Sequence, residues 1–114
     1  MRMVVMDLNT LLEDMGQRLL ERRKQQQWTQ EELAVKANVT SQMISTAELG
    51  KKALRPENII KLCAVLDIST DYLLTGKIAE CDVSILSQKV ANLSTAQYQH
   101  LENIIDNYIA ALNL

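Results

Sequence analysis

The sequence predicts an all-α protein, and three observations carry that expectation. Apolar residues recur at steps of three and four through most of the chain, the period of a helix face. Breakers are scarce, with Pro56 the one proline and only three glycines among 114 residues. Helix starts are also spelled out, because Thr29 with Glu32 and Ser94 with Gln97 each match a capping box. The length fits one small domain, or one domain with an appendage. Absence of phenylalanine and a single tryptophan mean that the core is mostly aliphatic.

A first long helix begins near Asp7 to Asn9 or near Asp14 and runs to about Gln26, with Leu8, Leu11, Leu12, Met15 and Leu19 as its apolar stripe. Beyond them "QRLLERRKQQQ" reads as a strongly charged face. Trp28 is an apolar plug between the first and second helices. Thr29 caps the second helix, which ends at Ala37 or Asn38, and Asn38 tolerates the left-handed backbone that a tight helix end needs. Thr40 caps a third helix, roughly Ser41 to Leu49, closed by Gly50. "KKALR" is a basic loop. Pro56 suits the first turn of a fourth helix, with Ile59, Ile60, Leu62, Cys63 and Leu66 facing inward. "DYLLTG" makes a short fifth helix that Gly76 ends.

The remainder has its own pattern. Asp82 starts a short helix with Val83, Leu86, Val90 and Leu93 on one side. The last helix carries Tyr98, Leu101, Ile105, Tyr108 and Leu112 at heptad-like steps, widened by Ile104 and Ile109. The chain thus divides into residues 1–13, an arm or helix extension; 14–76, a five-helix domain; and 77–114, a helical extension.

"TQEELAVKANVTSQMISTAELG", residues 29–50, puts two short helices either side of a three-residue bend, which is a helix-turn-helix. Ala34 sits where the two helices cross closest, and Val39 and Ile44 fill the wedge between them. The polar edge of the second helix, Ser41, Gln42, Ser45 and Thr46, has no core to enter. Such an edge fits a major groove about 12 Å wide.

Residues 15–76 resemble the phage repressor/Cro family of helix-turn-helix regulators, also called the xenobiotic-response-element type. The matching stretches are "GQRLLERRK", "TQEELAVKANVTSQMIS", then Glu48 and Gly50, then "RPENIIKLCAVLDISTDYLL". The resemblance implies a lambda-repressor-like five-helix domain that binds DNA. It implies that Gln30 contacts a phosphate and braces the recognition helix. Ser41, Gln42 and Thr46 then face bases with Ser45 beside them and Thr40 at the helix start, and Lys51, Lys52 and Arg55 meet the backbone. It also implies an ion pair between Arg23 and Glu48; Arg18 fits structure or DNA equally. Asn38 and Gln27 stand where the family often has glycine, and Thr46 where it often has arginine. Gln42 is the best base reader, because glutamine bonds the N6 and N7 edge of adenine.

Net charge is −2, yet its distribution favours phosphates in one segment. Residues 16–61 carry nine Lys/Arg against five Asp/Glu, 9 − 5 = +4, whereas residues 62–114 carry two against six, 2 − 6 = −4. No triad, paired-carboxylate site or phosphate loop stands out, so an enzyme is not expected. Cys63 and Cys81 lack the companions of a zinc site, no cofactor is implied, and His100 reads as a surface or interface residue. The apolar start "MRMVVM" is too short to span a membrane or act as an export signal, and reduced thiols fit a cytoplasmic protein.

One recognition helix covers few base pairs, so a homodimer on a palindromic operator is expected. Tyr98, Leu101, Ile104, Ile105, Tyr108, Ile109 and Leu112 supply a stripe for it. Packing of that stripe onto its own domain is the competing reading, and "MRMVVM" is a second candidate interface. The function expected is a sequence-specific transcription regulator acting as a repressor. An antitoxin that also represses its own operon, or a restriction controller, would share the domain. A toxin or antirepressor would then be a further partner.

Overall fold

The computed structural model describes residues 7–79 and 82–113. Among them there are seven helices and no strand: α1 Leu8–Gln25, α2 Gln30–Ala37, α3 Ser41–Glu48, α4 Pro56–Leu66, α5 Thr70–Thr75, α6 Val83–Ala91 and α7 Thr95–Leu112. The expected arm or interface segment Met1–Met6 and the thiol of Cys81 lie outside the described residues. Of the two starts open to α1, the earlier is the one adopted, with Asp7 accepting from the Asn9 N–H. Residues 8–13 are therefore the opening turns of α1.

Both capping boxes close in full. The Thr29 hydroxyl accepts from the Glu32 N–H at 3.0 Å while Glu32 accepts from the Thr29 N–H at 3.2 Å; Ser94 and Gln97 repeat the arrangement on α7. Helix ends are equally regular. Gln27, Asn38, Gly50 and Asp67 all take positive φ, at 62°, 55°, 71° and 57°. After each, the next residue's N–H reaches back five positions: Trp28 to Arg23, Val39 to Ala34, Lys51 to Thr46 and Ile68 to Cys63. These are Schellman closures, which satisfy carbonyls that a helix end would leave bare. Glycine takes positive φ without strain, and for other residues it costs roughly 1–2 kcal/mol, least for Asn and Asp.

Helices α1 to α5 enclose one aliphatic core. Leu19, Leu33, Ile44, Leu62, Leu66 and Leu73 are wholly buried, with Met15, Ala34, Ala37 and Ala47 beside them. Val39 and Trp28 pack against it from its rim. α1 packs on α3 and α5, and α2 on α3 and α4. Gly16 permits the α1–α3 approach. A Cβ there would collide with the Ala47 carbonyl oxygen and lie 2.8 Å from that of Glu48. Helical glycine costs about 1 kcal/mol against alanine, and here that cost lets two backbones touch.

One expected inward position needs correction, and burial adds detail on two other helices. Within the charged stretch "QRLLERRKQQQ", Arg22 and Arg23 are buried. Ile60, expected to face inward, is 62% exposed, because α4 presents only Leu62, Cys63 and Leu66 fully to the core. On α6 the docking residue is Ile85, 3% exposed, whereas Val83 and Leu86 are about 59% and 58% exposed. A polar cluster fixes that choice. Arg22 donates to the Leu66 carbonyl at 2.8 Å, to Gln88 at 2.7 Å and to Ser84 at 3.1 Å. Asp82 accepts from the N–H and hydroxyl of Ser69, both at 2.6 Å, and from the Ala79 N–H at 2.8 Å. Val83, Leu86, Val90 and Leu93 share one side, as expected, and line a cleft of about 560 Å³ with Tyr98.

α7 has no buried residue. Tyr98, Ile104, Ile105, Tyr108, Ile109 and Leu112 are between 46% and 65% exposed, and Leu101 is half-buried. The stripe is not packed onto its own domain.

Candidate nucleic-acid interface

The turn between α2 and α3 is set by residue type. Asn38 adopts the left-handed state, Val39 tucks against the core, and the Thr40 hydroxyl accepts from the Met43 N–H at 3.1 Å to start α3. Burial of Ile44 and Ala47 then fixes the rotation of α3. The opposite edge holds Gln42, exposed, with Ser41, Ser45 and Thr46 half-buried at the surface. None of these four is covered by the interior.

Glu48 anchors the far end of α3. Arg23 Nε donates to Oε2 at 2.7 Å and Nη2 to Oε1 at 3.0 Å, a bidentate pair. Arg23 Nη1 also donates to the Trp28 carbonyl at 2.8 Å, and the Gln30 amide donates to Glu48 Oε1 at 2.9 Å. The hydrogen bond to Glu48 is the main reason the Arg23 pKa is raised further. Three helices are thus tied at one carboxylate. Gln30 braces α3 directly.

Arg18, which fitted two roles in the sequence, donates to the carbonyls of Leu73 at 2.9 Å and Leu74 at 3.2 Å. It is committed to the end of α5. Arg18, Arg22 and Arg23 are three of the nine cations in residues 16–61, all engaged within the fold. The positive charge free to meet phosphates is correspondingly smaller, and half of the six remaining cations lie in the loop that follows α3. Lys51, Lys52 and Arg55 are exposed there with no ion pair among the described residues.

Lys52 joins Thr40, Gln42, Met43, Thr46 and Leu54 around a notch of about 280 Å³ between α3 and its following loop. Expected readers and an expected phosphate contact therefore share one concave surface. Ser41, Ser45, Lys51 and Arg55 lie outside the lining of the notch. The ammonium of Lys36, from the last turn of α2, lies over the Trp28 ring, 4.9 Å from its centroid. Cys63 is a packed hydrophobe; burial pushes its thiol up to about 11, where a nucleophilic thiolate is not populated at neutral pH. No helix among the described residues is long and apolar enough to cross a membrane.

Comparison with known proteins agrees with this geometry. The profile of the family described as Helix-turn-helix matches residues 19–73, from the second half of α1 through most of α5. The uncharacterized HTH-type transcriptional regulator YqaE of Bacillus subtilis (strain 168) is 34% identical over 70 residues. That match takes in 61% of this chain and 60% of the relative's length. In fold, the chain is similar to one in the solved SinR protein/SinI protein complex, with a TM-score of 0.53 at 24% identity. The superposition covers 84% of this chain and 98% of the other. From residue 19 to residue 73, the stretch that carries the braced α3, the chain is thus similar to the helix-turn-helix family.

Proposed function

We propose that the chain is a sequence-specific DNA-binding transcription regulator, acting by binding and not by catalysis. It places α3 in the major groove of a palindromic operator as a homodimer, and represses by occupying that site. The observation that carries this reading is the edge of α3: an exposed Gln42 amide between surface hydroxyls, held by the Arg23–Glu48–Gln30 cluster and flanked by Lys51, Lys52 and Arg55. Base edges are read by such side chains, and phosphate contacts set their register. The family and the relative named as a regulator support it. Its place of action would be with the DNA, in the cytoplasm. The exposed apolar residues of α7 supply the dimer contact, because a stripe of this extent is rarely left in water.

Selection of bound DNA from a random library tests the whole reading. The expected product is an inverted repeat whose half-sites are about 34–36 Å apart, or a multiple of that spacing. Recovery of no enriched sequence would remove the DNA-binding role, and an asymmetric single site would remove the dimer.

A second reading, an antitoxin that also represses its operon, draws on the apolar cleft between α6 and α7. A partner toxin would occupy that cleft and leave α3 free. A stable complex with the product of a neighbouring small gene, abolished by Leu86→Glu, supports it; failure to bind any such product removes it.

A further inference from the structure

Thr46 turns its hydroxyl back into its own helix. Its Oγ1 lies 3.0 Å from the Gln42 carbonyl and 3.1 Å from that of Met43, so the proton is donated to the preceding turn. The outward part of the side chain is then a methyl group and a lone pair that can only accept. Gln42, one turn earlier on the same edge, is the reverse: its side-chain amide is exposed and makes no hydrogen bond among the described residues. The two share the notch whose wall includes Met43 and Leu54.

Each base offers a different face to such a surface. Guanine shows two acceptors and is read best by Arg or Lys, of which α3 has none. Cytosine shows a donor and calls for a carboxylate; Glu48, the one on α3, is held by Arg23 and Gln30. Adenine pairs a donor with an acceptor, as a glutamine amide does, and thymine alone carries a methyl. Positions four apart on a helix are about 5–6 Å apart at Cβ. Bases stack about 3.4 Å apart. One pair or two neighbouring pairs therefore span the reach.

Resting on the DNA-reading role above, we propose that this edge is built for A·T pairs. The Gln42 amide takes the N7 and N6 edge of an adenine, and the Thr46 methyl packs on the 5-methyl of a thymine in the same or the adjacent pair. Thr46 is then a specificity-determining residue that works by apolar contact.

Deoxyuridine tests this directly, since it lacks only that methyl. The full chain is titrated against its selected operator with each thymine replaced in turn. Replacement at one position per half-site is expected to weaken binding about fourfold, the worth of one buried methyl-sized group. Thr46→Val should retain that sensitivity, and Thr46→Ser, which keeps the hydroxyl, should lose it. Melting curves of both variants establish that they are folded. Sensitivity at no position, or sensitivity kept by Thr46→Ser and lost by Thr46→Val, overturns the assignment. A selection that enriches nothing overturns the DNA-reading role itself, whereas a clear operator indifferent to deoxyuridine overturns the A·T assignment alone.

Discussion

Arg23 holds Glu48 through two hydrogen bonds, 2.7 and 3.0 Å long, and so fastens the last turn of α1 to the last residue of α3. Both side chains are largely out of water, at 11% and 4% exposure. Removing one partner strands the other's charge, at a cost of about 3–5 kcal/mol for a fully buried pair. Glu48→Gln should therefore lower the unfolding free energy sharply, by an amount approaching that figure. Arg23→Lys should rescue poorly, because a single ammonium cannot reproduce the fork that meets both carboxylate oxygens. Equilibrium unfolding of the two variants measures both effects.

Asp82 should give the fold an acid-sensitive limb. Burial pushes its carboxyl up, but hydrogen bonds from Ser69 and Ala79 together with the Arg22 guanidinium outweigh it, leaving the pKa below the usual carboxylate value. The unfolded chain therefore binds a proton first as pH falls. The contribution of Asp82 is complete above the unfolded pKa, near 3.9, and is lost as pH falls through the lower folded value. Asp82→Asn should lower stability at neutral pH and flatten the dependence below about pH 4, as read from unfolding curves across that range.

Gln42 and Lys52 line the same notch and should fail differently. Gln42→Ala should cost roughly 1–3 kcal/mol at one operator position and relax preference there. Lys52→Ala should weaken operator and random DNA alike, and reduce the slope of log affinity against log salt by about 1. Titrations at several salt concentrations separate the two. Equal losses on every sequence for Gln42→Ala would remove its assignment as a base reader.

Helix α7 should govern assembly and leave the fold of the domain intact. Since none of its residues is buried, Ile105→Glu with Ile109→Glu disturbs no core contact. Sedimentation should show a monomer with unchanged melting behaviour and weakened operator binding. A double variant that stays dimeric would move the interface to another face.

Local chemistry made much of this fold legible. Thr29 and Ser94 announce helices because a cap is completed within four residues, and Asn38 marks a bend because few side chains accept positive φ. The polar edge Ser41, Gln42, Ser45 and Thr46 follows from burial of Ile44 and Ala47 on the other side of one short helix. What stayed hidden depends on distant neighbours. Arg22 looks like a surface charge until the Leu66 carbonyl and the side chains of Ser84 and Gln88, 44 to 66 positions away, surround its guanidinium. Ile85 is likewise chosen over Leu86 by that cluster, a choice that periodicity cannot make. Gly16 gave no sign of its task, because a backbone-to-backbone approach between α1 and α3 leaves no mark on local patterning. The direction of the Thr46 hydroxyl is a matter of rotamer, which no sequence pattern encodes.

Three of the four Schellman closures run through residues other than glycine. Gln27 and Asp67 sit at the junctions of α1 with α2 and of α4 with α5, outside α3 and the turn before it. Thermal tolerance therefore has room to rise at these two joints without a change to any residue of α3. For an engineer, durability and choice of target can be adjusted one at a time in this molecule.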